Sequence, residues 1–164
     1  IIWVVYPIAF IDTNTSIYKA GKVIHEMGAC NSCHFYGNEF PSGDPQTWAP
    51  NLALSKERLR PDWLVEWFRN PQDIMPGTKM PKPYIPSKEE LSTFDASEVF
   101  GTDLMQFAGK ENDILKGLTS YVYTIPGKID ISDQISSFFE ENGYDFLDPQ
   151  QQNDEYDDWG DDEW

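Results

Sequence analysis

The chain has 164 residues, a length at which one domain is expected, and its formal net charge is −16. The charge is uneven, because residues 1–128 hold 12 bases and 15 acids (net −3) while residues 129–164 hold 13 acids and no base (net −13). This acidity argues against a nucleic-acid partner, since a polyanion would be repelled.

Residues 1–11 form an apolar and aromatic stretch that is too short to span a bilayer, which needs about 20 residues. The stretch has no initiator Met, basic region or cleavage site, so it is not an intact signal peptide. We assign residues 1–15 to an N-terminal extension. Three interpretations stay open: a processed terminus, the remnant of a membrane anchor, or a segment that packs on a partner.

Residues 16–27 carry apolar side chains at positions 17, 20, 23, 24 and 27, a spacing that predicts a helix. The residues able to cap its start are Asn14, Thr15 and Ser16. We expect a surface or capping role for His25, which lies in this helix. Met27 and Met105, both in predicted helices, are expected to fill gaps in the core.

The next segment, Cys30-Asn31-Ser32-Cys33-His34, contains the only two cysteines of the chain. This spacing is the attachment signature of a c-type haem, in which each thiol adds to one vinyl group of the porphyrin. His34 is then placed to donate an imidazole nitrogen to the iron. A zinc site would require two more soft ligands, and only His25 remains. A redox dithiol would require a βαβ setting, which the flanking sequence does not indicate.

Residues 61–70 predict a short helix, with Pro61 in its first turn and Pro71 ending it. Trp63 and Trp67 are four residues apart and therefore share one face of this helix. We expect both indoles to form part of the wall around the haem, and one indole N–H to reach a haem propionate.

Residues 75–81, Met75-Pro76-Gly77-Thr78-Lys79-Met80-Pro81, predict a stiff irregular loop that can present a thioether as the second axial ligand. The Cys-x-x-Cys-His motif followed by a Pro-Gly-Thr-Lys-Met loop resembles the class I cytochromes c. In that family the Met of this loop is the distal iron ligand. The resemblance implies that Met80 is the ligand here, with Met75 in the same loop as the alternative, and that Thr78 belongs to the haem-binding set.

The resemblance covers residues 16–127 and implies an all-α cytochrome c fold of four to six short helices around one covalent haem. Ala49-Pro50-Asn51-Leu52 resembles the Pro-Asn-Leu segment of the family, whose proline carbonyl accepts a hydrogen bond from the proximal imidazole. By that resemblance Pro50 orients His34. Residues 112–125 predict a helix that resembles the C-terminal helix of the family, which crosses the N-terminal helix.

Two segments depart from the smallest members of the family. Residues 35–48 read as a loop with little periodicity, and residues 84–111 form a longer connection than those members have. Within that connection, residues 87–91 predict a capped helix start, and we expect a second short helix over residues 103–108.

Residues 128–164 form an acidic tail. A block of like charge is typical of a solvated segment. Seven aromatic residues interleaved with the acids instead favour a tail that docks on a basic, apolar-grooved partner subunit. These aromatic residues are Phe138, Phe139, Tyr144, Phe146, Tyr156, Trp159 and Trp164.

His/Met ligation leaves no open iron position and raises the reduction potential relative to bis-His ligation, so we expect an electron carrier and not an enzyme. Lys79 and Lys82 either steer an acidic redox partner or only add solubilising charge. We expect a haem subunit of a larger respiratory or photosynthetic membrane complex, contacted through the tail 129–164 and the N-terminal segment. The alternatives are a freely diffusing shuttle and a ligand sensor or peroxidase-like protein in which Met80 dissociates. Haem attachment implies, by the resemblance, a periplasm or the outer face of a membrane.

Overall fold

The computed structural model describes residues 11–127 and 132–143 of the chain. The described part is mostly helical and contains no β-strand, which agrees with the all-α class expected from the sequence. The α-helices are α1 (Ser16–Met27), α2 (Ser55–Arg58), α3 (Pro61–Arg69), α4 (Pro71–Ile74), α5 (Ala96–Met105), α6 (Glu111–Val122) and α7 (Ser132–Glu141). Short 3₁₀ turns lie at Cys30–Ser32, Pro45–Thr47, Leu52–Leu54 and Glu90–Ser92.

The chain divides into two units, Ile1–Ile129 and Asp130–Trp164. In the first unit, helices α1 to α6 enclose one apolar core. In the second unit, the described part is α7, in which the rings of Phe138 and Phe139 meet edge to face at 5.6 Å. The predictions made for residues 1–10 and for the tail beyond residue 143 lie outside the described residues. None of the described helices is long and apolar enough to cross a membrane.

Helix α1 begins and ends where the sequence indicates. The Thr15 side chain caps it by accepting a hydrogen bond from the backbone N–H of Tyr18 at 3.4 Å. Ala20 and Ile24 are buried, but the expectation that Met27 fills the core is wrong, because its side chain is 38% exposed. Met27 is the last residue of the helix and lies beyond the buried stretch that ends at His25.

The crossing of α1 and α6 brings two backbones into contact. A Cβ atom on Gly21 would lie 2.0 Å from the carbonyl carbon of Gly117, and one on Gly117 would lie 2.1 Å from the carbonyl oxygen of Ile17. Only glycine fits at both positions, since real Cβ atoms are not found at such distances. Beside the crossing, the hydroxyl groups of Tyr18 and Thr124 are hydrogen-bonded at 2.8 Å. The crossing holds the two ends of the first unit together.

Helix α3 confirms the prediction for residues 61–70. It begins at Pro61 and ends at Arg69, and its Leu64, Val65 and Phe68 are buried in the core. Pro71 then starts the short helix α4 in place of a continued α3. Helix α6 begins one residue earlier than predicted and ends at Val122, three residues earlier than predicted.

The connection over residues 84–111 differs from the prediction. The Ser87 hydroxyl accepts from the N–H of Glu90 at 3.2 Å, and the Glu90 carboxylate accepts from the N–H of Ser87 at 2.7 Å. This capping box starts only the 3₁₀ turn, because Thr93 returns to extended backbone. Helix α5 follows, but its backbone is not helical at Gly101, where φ is +74° and ψ is 154°, so its helical residues form two segments, one on each side of that glycine. The second short helix expected over residues 103–108 is present in part, because the segment after Gly101 ends at Met105.

Residues 35–48 form a loop, as expected, but the loop is organised by three rings. Phe35, Phe40 and Trp48 meet edge to face with centroid separations of 5.0–5.5 Å. The indole N–H of Trp48 also donates to the carbonyl oxygen of Gly43 at 3.0 Å. These contacts fix the loop that follows the Cys-x-x-Cys-His motif.

Candidate haem site

The cysteine motif folds as a tight turn at the end of α1. The backbone N–H groups of Cys33 and His34 both donate to the carbonyl oxygen of Cys30, at 3.3 and 2.9 Å. Ala29 enters the turn with a φ of +45°, a conformation that few non-glycine residues adopt. Both thiols are half-buried and free, and burial raises the pKa of the Cys30 thiol to about 11. The turn therefore presents two free thiols close together in sequence.

His34 is oriented by the segment that begins at Ala49. Its Nδ1 lies 2.7 Å from the carbonyl oxygen of Pro50, and Ala49 N–H donates to the carbonyl oxygen of Cys33 at 2.7 Å. Because a carbonyl only accepts, Nδ1 carries the proton and Nε2 keeps its lone pair. Burial lowers the pKa of His34, and the Pro50 carbonyl opposes this effect. The structure thus contains the hydrogen bond that the sequence resemblance implies, with Nε2 as the nitrogen free for a metal.

Asn51 locks this segment in place, a role that the sequence reasoning did not assign. Its Oδ1 accepts from the N–H groups of Gly37 and Ala53 at 2.9 and 3.1 Å, and its Nδ2 donates to the carbonyl oxygen of Gly37 at 2.8 Å. Gly37 has a φ of +60°, and a Cβ there would lie 2.5 Å from Cα of Gly127. The Asn51 side chain therefore joins the segment that contains Pro50 to the loop that follows the Cys-x-x-Cys-His motif.

His25 does not have the surface or capping role expected from the sequence. It is only 6% exposed, and its Nε2 is hydrogen-bonded to the hydroxyl of Tyr36. Its ring also lies 4.7 Å from that of Tyr121. Burial, and to a smaller extent the charge of His34, lowers the pKa of His25 to about 4. Position 25 lies four residues after Gly21, so the two positions share one face of α1, and both are buried. This spacing is the sequence signal that predicts the burial of His25.

The two candidate methionines have different surroundings. Met80 is half-buried and packs against the core of the first unit, whereas Met75 is 57% exposed. The backbone N–H of Met80 donates to the hydroxyl of Thr78 at 3.3 Å. The loop is further held by Gln72, which accepts from the N–H of Gly77 at 3.0 Å. Of the two thioethers, that of Met80 is the one placed against the interior.

The two tryptophans of α3 share a face, as their spacing predicts. Their rings stack with centroids 5.2 Å apart and planes 13° apart, and Trp63 is 37% exposed. The indole N–H of Trp67 lies 2.8 Å from Sδ of Met80 and donates to it. The expectation for an indole N–H was a haem propionate, so this contact to sulfur is a further role that sequence reasoning missed.

The two lysines near the Met80 loop, Lys79 and Lys82, have different surroundings. Lys82 lies 3.5 Å from the carboxylate of Glu111 on α6, while Lys79 is an exposed cation in the loop itself. Within residues 11–127 and 132–143 there is no group of three or more His, Cys, Asp or Glu side chains placed to hold a metal ion.

Comparison of this chain with known protein families, with curated protein sequences and with solved structures found no match. The donor set fits a covalently attached haem. It consists of two free thiols, an imidazole whose Nδ1–H is donated to a carbonyl, and a thioether packed against the core. They are the donors of Cys30, Cys33, His34 and Met80.

Proposed function

We propose that this chain is a one-electron carrier of the class I cytochrome c type. One haem would be attached through Cys30 and Cys33 and ligated by His34 and Met80. The observation that carries the proposal is the 2.7 Å contact between Nδ1 of His34 and the carbonyl oxygen of Pro50. It directs the imidazole of a Cys-x-x-Cys-His motif as an iron ligand requires, with the other nitrogen unprotonated.

When bound, the haem supplies a reversible Fe(III)/Fe(II) couple, and the surrounding residues keep the ligand set closed. Pro50 fixes the orientation of His34 and raises the basicity of its ring. Trp67 donates its indole N–H to the sulfur of Met80, and its ring is stacked on that of Trp63. A saturated, rigid ligand set favours electron transfer, because little rearrangement accompanies the change in charge.

The helices support a cytochrome c fold as part of the same proposal. Helices α1 and α6 cross at Gly21 and Gly117, as the N- and C-terminal helices of that family cross, and α3 leads through α4 into the Met80 loop. The cysteine turn directly follows α1. These relationships support the proposal, because the cysteine turn and the Met80 loop both adjoin the helices of one core.

The setting of the carrier follows from its charge and its chemistry. Covalent attachment of haem, by the family resemblance, takes place outside the cytoplasm, so we place the chain in a periplasm or on the outer face of a membrane. The net charge of −13 over residues 129–164 and the apolar residues 1–11 favour a haem subunit fixed in a respiratory or photosynthetic complex over a freely diffusing shuttle.

The deciding experiment is absorption spectroscopy of the haem-loaded protein, oxidised and reduced, with Met80→Ala and the matched variant Met75→Ala. The long-wavelength charge-transfer band of Met-ligated Fe(III) is expected in the wild type and in Met75→Ala, and its loss is expected in Met80→Ala. A band that survives in Met80→Ala and disappears in Met75→Ala assigns the ligand to Met75. A high-spin wild type whose reduced form binds carbon monoxide would replace the carrier by the ligand-sensing or peroxidase-like alternative.

A further inference from the structure

Phe94 is the most exposed large apolar side chain among the described residues, with a relative exposure of 104%. It lies in the connection between the Met80 loop and α6. The other two phenylalanines of that connection, Phe100 and Phe107, pack against the core. A phenylalanine left in water does not contribute the stabilisation that burial of its ring would supply. Phe94 therefore contributes nothing by packing to the first unit as the structure shows it.

The backbone presents Phe94 rigidly. Leu91 before it and Ala96 after it are buried, with exposures of 2% and 0%. Two hydrogen bonds hold the backbone around Phe94. The N–H of Ala96 donates to the carbonyl oxygen of Thr93 at 3.2 Å, and the hydroxyl of Thr93 donates to the backbone carbonyl oxygen of Glu90 at 2.9 Å. A backbone anchored on both sides of Phe94 needs little further ordering when the side chain binds a partner, which lowers the entropic cost of that contact.

The surroundings of Phe94 are acidic. Residues 89–109 contain five acids and no base. Asp95 and Glu98 are exposed, and neither has an ion-pair partner within the described part of the chain. Val99, 63% exposed, adds apolar area beside them. We name this surface, made of Phe94, Asp95, Glu98 and Val99, the Phe94 knob.

We propose that the Phe94 knob docks a protein subunit that offers an apolar pocket rimmed by lysine and arginine. An aromatic anchor that enters a pocket, surrounded by charges of one sign, is the arrangement of an interface hot spot with electrostatic steering. An anionic membrane surface would repel Asp95 and Glu98. A second copy of this chain carries a net charge of −16 and is repelled as a whole. The complementary charge is that of a basic partner.

The test begins with a photo-crosslinking phenylalanine analogue at position 94 of the full chain in its native cells, with the same analogue at exposed Lys19 as the control. The expected product at position 94 is a cross-link to an apolar residue of another protein that is flanked by Lys or Arg. The yield should fall as the salt concentration rises. A cross-link to lipid, to a second copy, or to an acidic surface overturns the proposal, and so does the absence of a product specific to position 94.

The partner identified in this way is then purified and its affinity for variants is measured. Phe94→Ala should weaken binding by about tenfold or more. Asp95→Asn combined with Glu98→Gln should reduce the salt dependence of the dissociation constant. Unchanged affinity in Phe94→Ala overturns the proposal. The haem spectrum of each variant should equal that of the wild type, so that failure here is distinguishable from failure of the proposed electron-carrier function.

Discussion

Nδ1 of His34 lies 2.7 Å from the carbonyl oxygen of Pro50, sixteen residues further along the chain. The contact joins the cysteine turn to the segment before α2, so the orientation of the imidazole depends on how firmly that segment is held. Asn51, the next residue, makes three hydrogen bonds that hold it. The orientation of the His34 imidazole therefore depends on an amide side chain whose three hydrogen bonds are made to the backbone of Gly37 and Ala53.

Asn51→Ala tests this dependence. The variant loses three hydrogen bonds and leaves the N–H and C=O of Gly37 without their partner, so we expect the free energy of unfolding to fall by about 1–3 kcal/mol. Urea unfolding measures the change. Asn112→Ala is the matched control, because Asn112 is exposed and accepts one hydrogen bond, from Arg69 at 3.0 Å; its effect should stay within about 0.5 kcal/mol. Equal effects in the two variants would show that Asn51 is not a clamp.

Trp67→Phe tests the contact between the indole and the sulfur of Met80 in the haem-loaded protein. A hydrogen bond to the thioether withdraws electron density from the iron and stabilises Fe(II) relative to Fe(III). Its removal should lower the reduction potential by about 20–60 mV, the equivalent of a hydrogen bond worth about 0.5–1.5 kcal/mol. A spectroscopic redox titration measures this value.

Trp63→Phe is the control for that titration, because it keeps a ring in the stack and leaves the N–H of Trp67 in place. The potential of Trp63→Phe should stay close to that of the wild type. If Trp67→Phe also leaves the potential unchanged, the indole does not donate to the ligand sulfur once haem is bound.

Gly117→Ala tests the helix crossing. At an exposed position of a helix, alanine is more stabilising than glycine by about 1 kcal/mol. Here its Cβ would lie 2.1 Å from the carbonyl oxygen of Ile17, so α1 and α6 must separate, and we expect a net loss of about 3 kcal/mol or more. Thermal or urea unfolding measures it. Lys116→Ala, on the exposed side of the same helix, should change stability by no more than about 0.5 kcal/mol; a loss as large as that of Gly117→Ala would contradict a steric cause.

Much of the framework could be predicted because it is encoded locally. The spacing of apolar residues and the caps predict α1 and α3 closely, since Thr15, Pro61 and Pro71 act on their own neighbours in sequence. The connection over residues 84–111 could not be predicted in the same way. Its capping box forms, but Thr93 returns to extended backbone after one 3₁₀ turn, and the helical residues that follow are interrupted at Gly101.

The residues around the candidate ligands show the same limit. The cysteine turn and the Met80 loop are visible as motifs, while the clamp by Asn51 and the contact from Trp67 to sulfur join residues 13 or more positions apart. No local pattern encodes such pairs. The surface role predicted for His25 is wrong, because position 25 lies on the buried face of α1.

The burial of His25 gives the protein a specific response to acid. Burial, and secondarily the charge of His34, lowers the pKa of His25 to about 4 from its usual value of 6.5. The rings that face it, Tyr36 and Tyr121, are neutral at these pH values, because the ordinary tyrosine pKa of about 10 lies far above them and burial raises the pKa of each further. The unfolded chain therefore binds a proton before the folded chain does as the pH falls. The stability contributed by neutral His25 is complete above about pH 6.5 and is lost between about pH 6.5 and pH 4.

His25→Gln removes this titration and keeps a polar group opposite the hydroxyl of Tyr36. Between pH 6.5 and pH 4, the free energy of unfolding should fall further in the wild type than in His25→Gln. The extra loss should reach up to about 3 kcal/mol, because that is the free energy to which a pKa lowered by about 2.5 corresponds. Urea unfolding at a series of pH values measures the stability of both proteins. Subtracting one curve from the other cancels the contribution of the carboxylates, which titrate in both proteins. Parallel curves would mean that His25 titrates as a solvent-exposed histidine and is not held neutral by the fold.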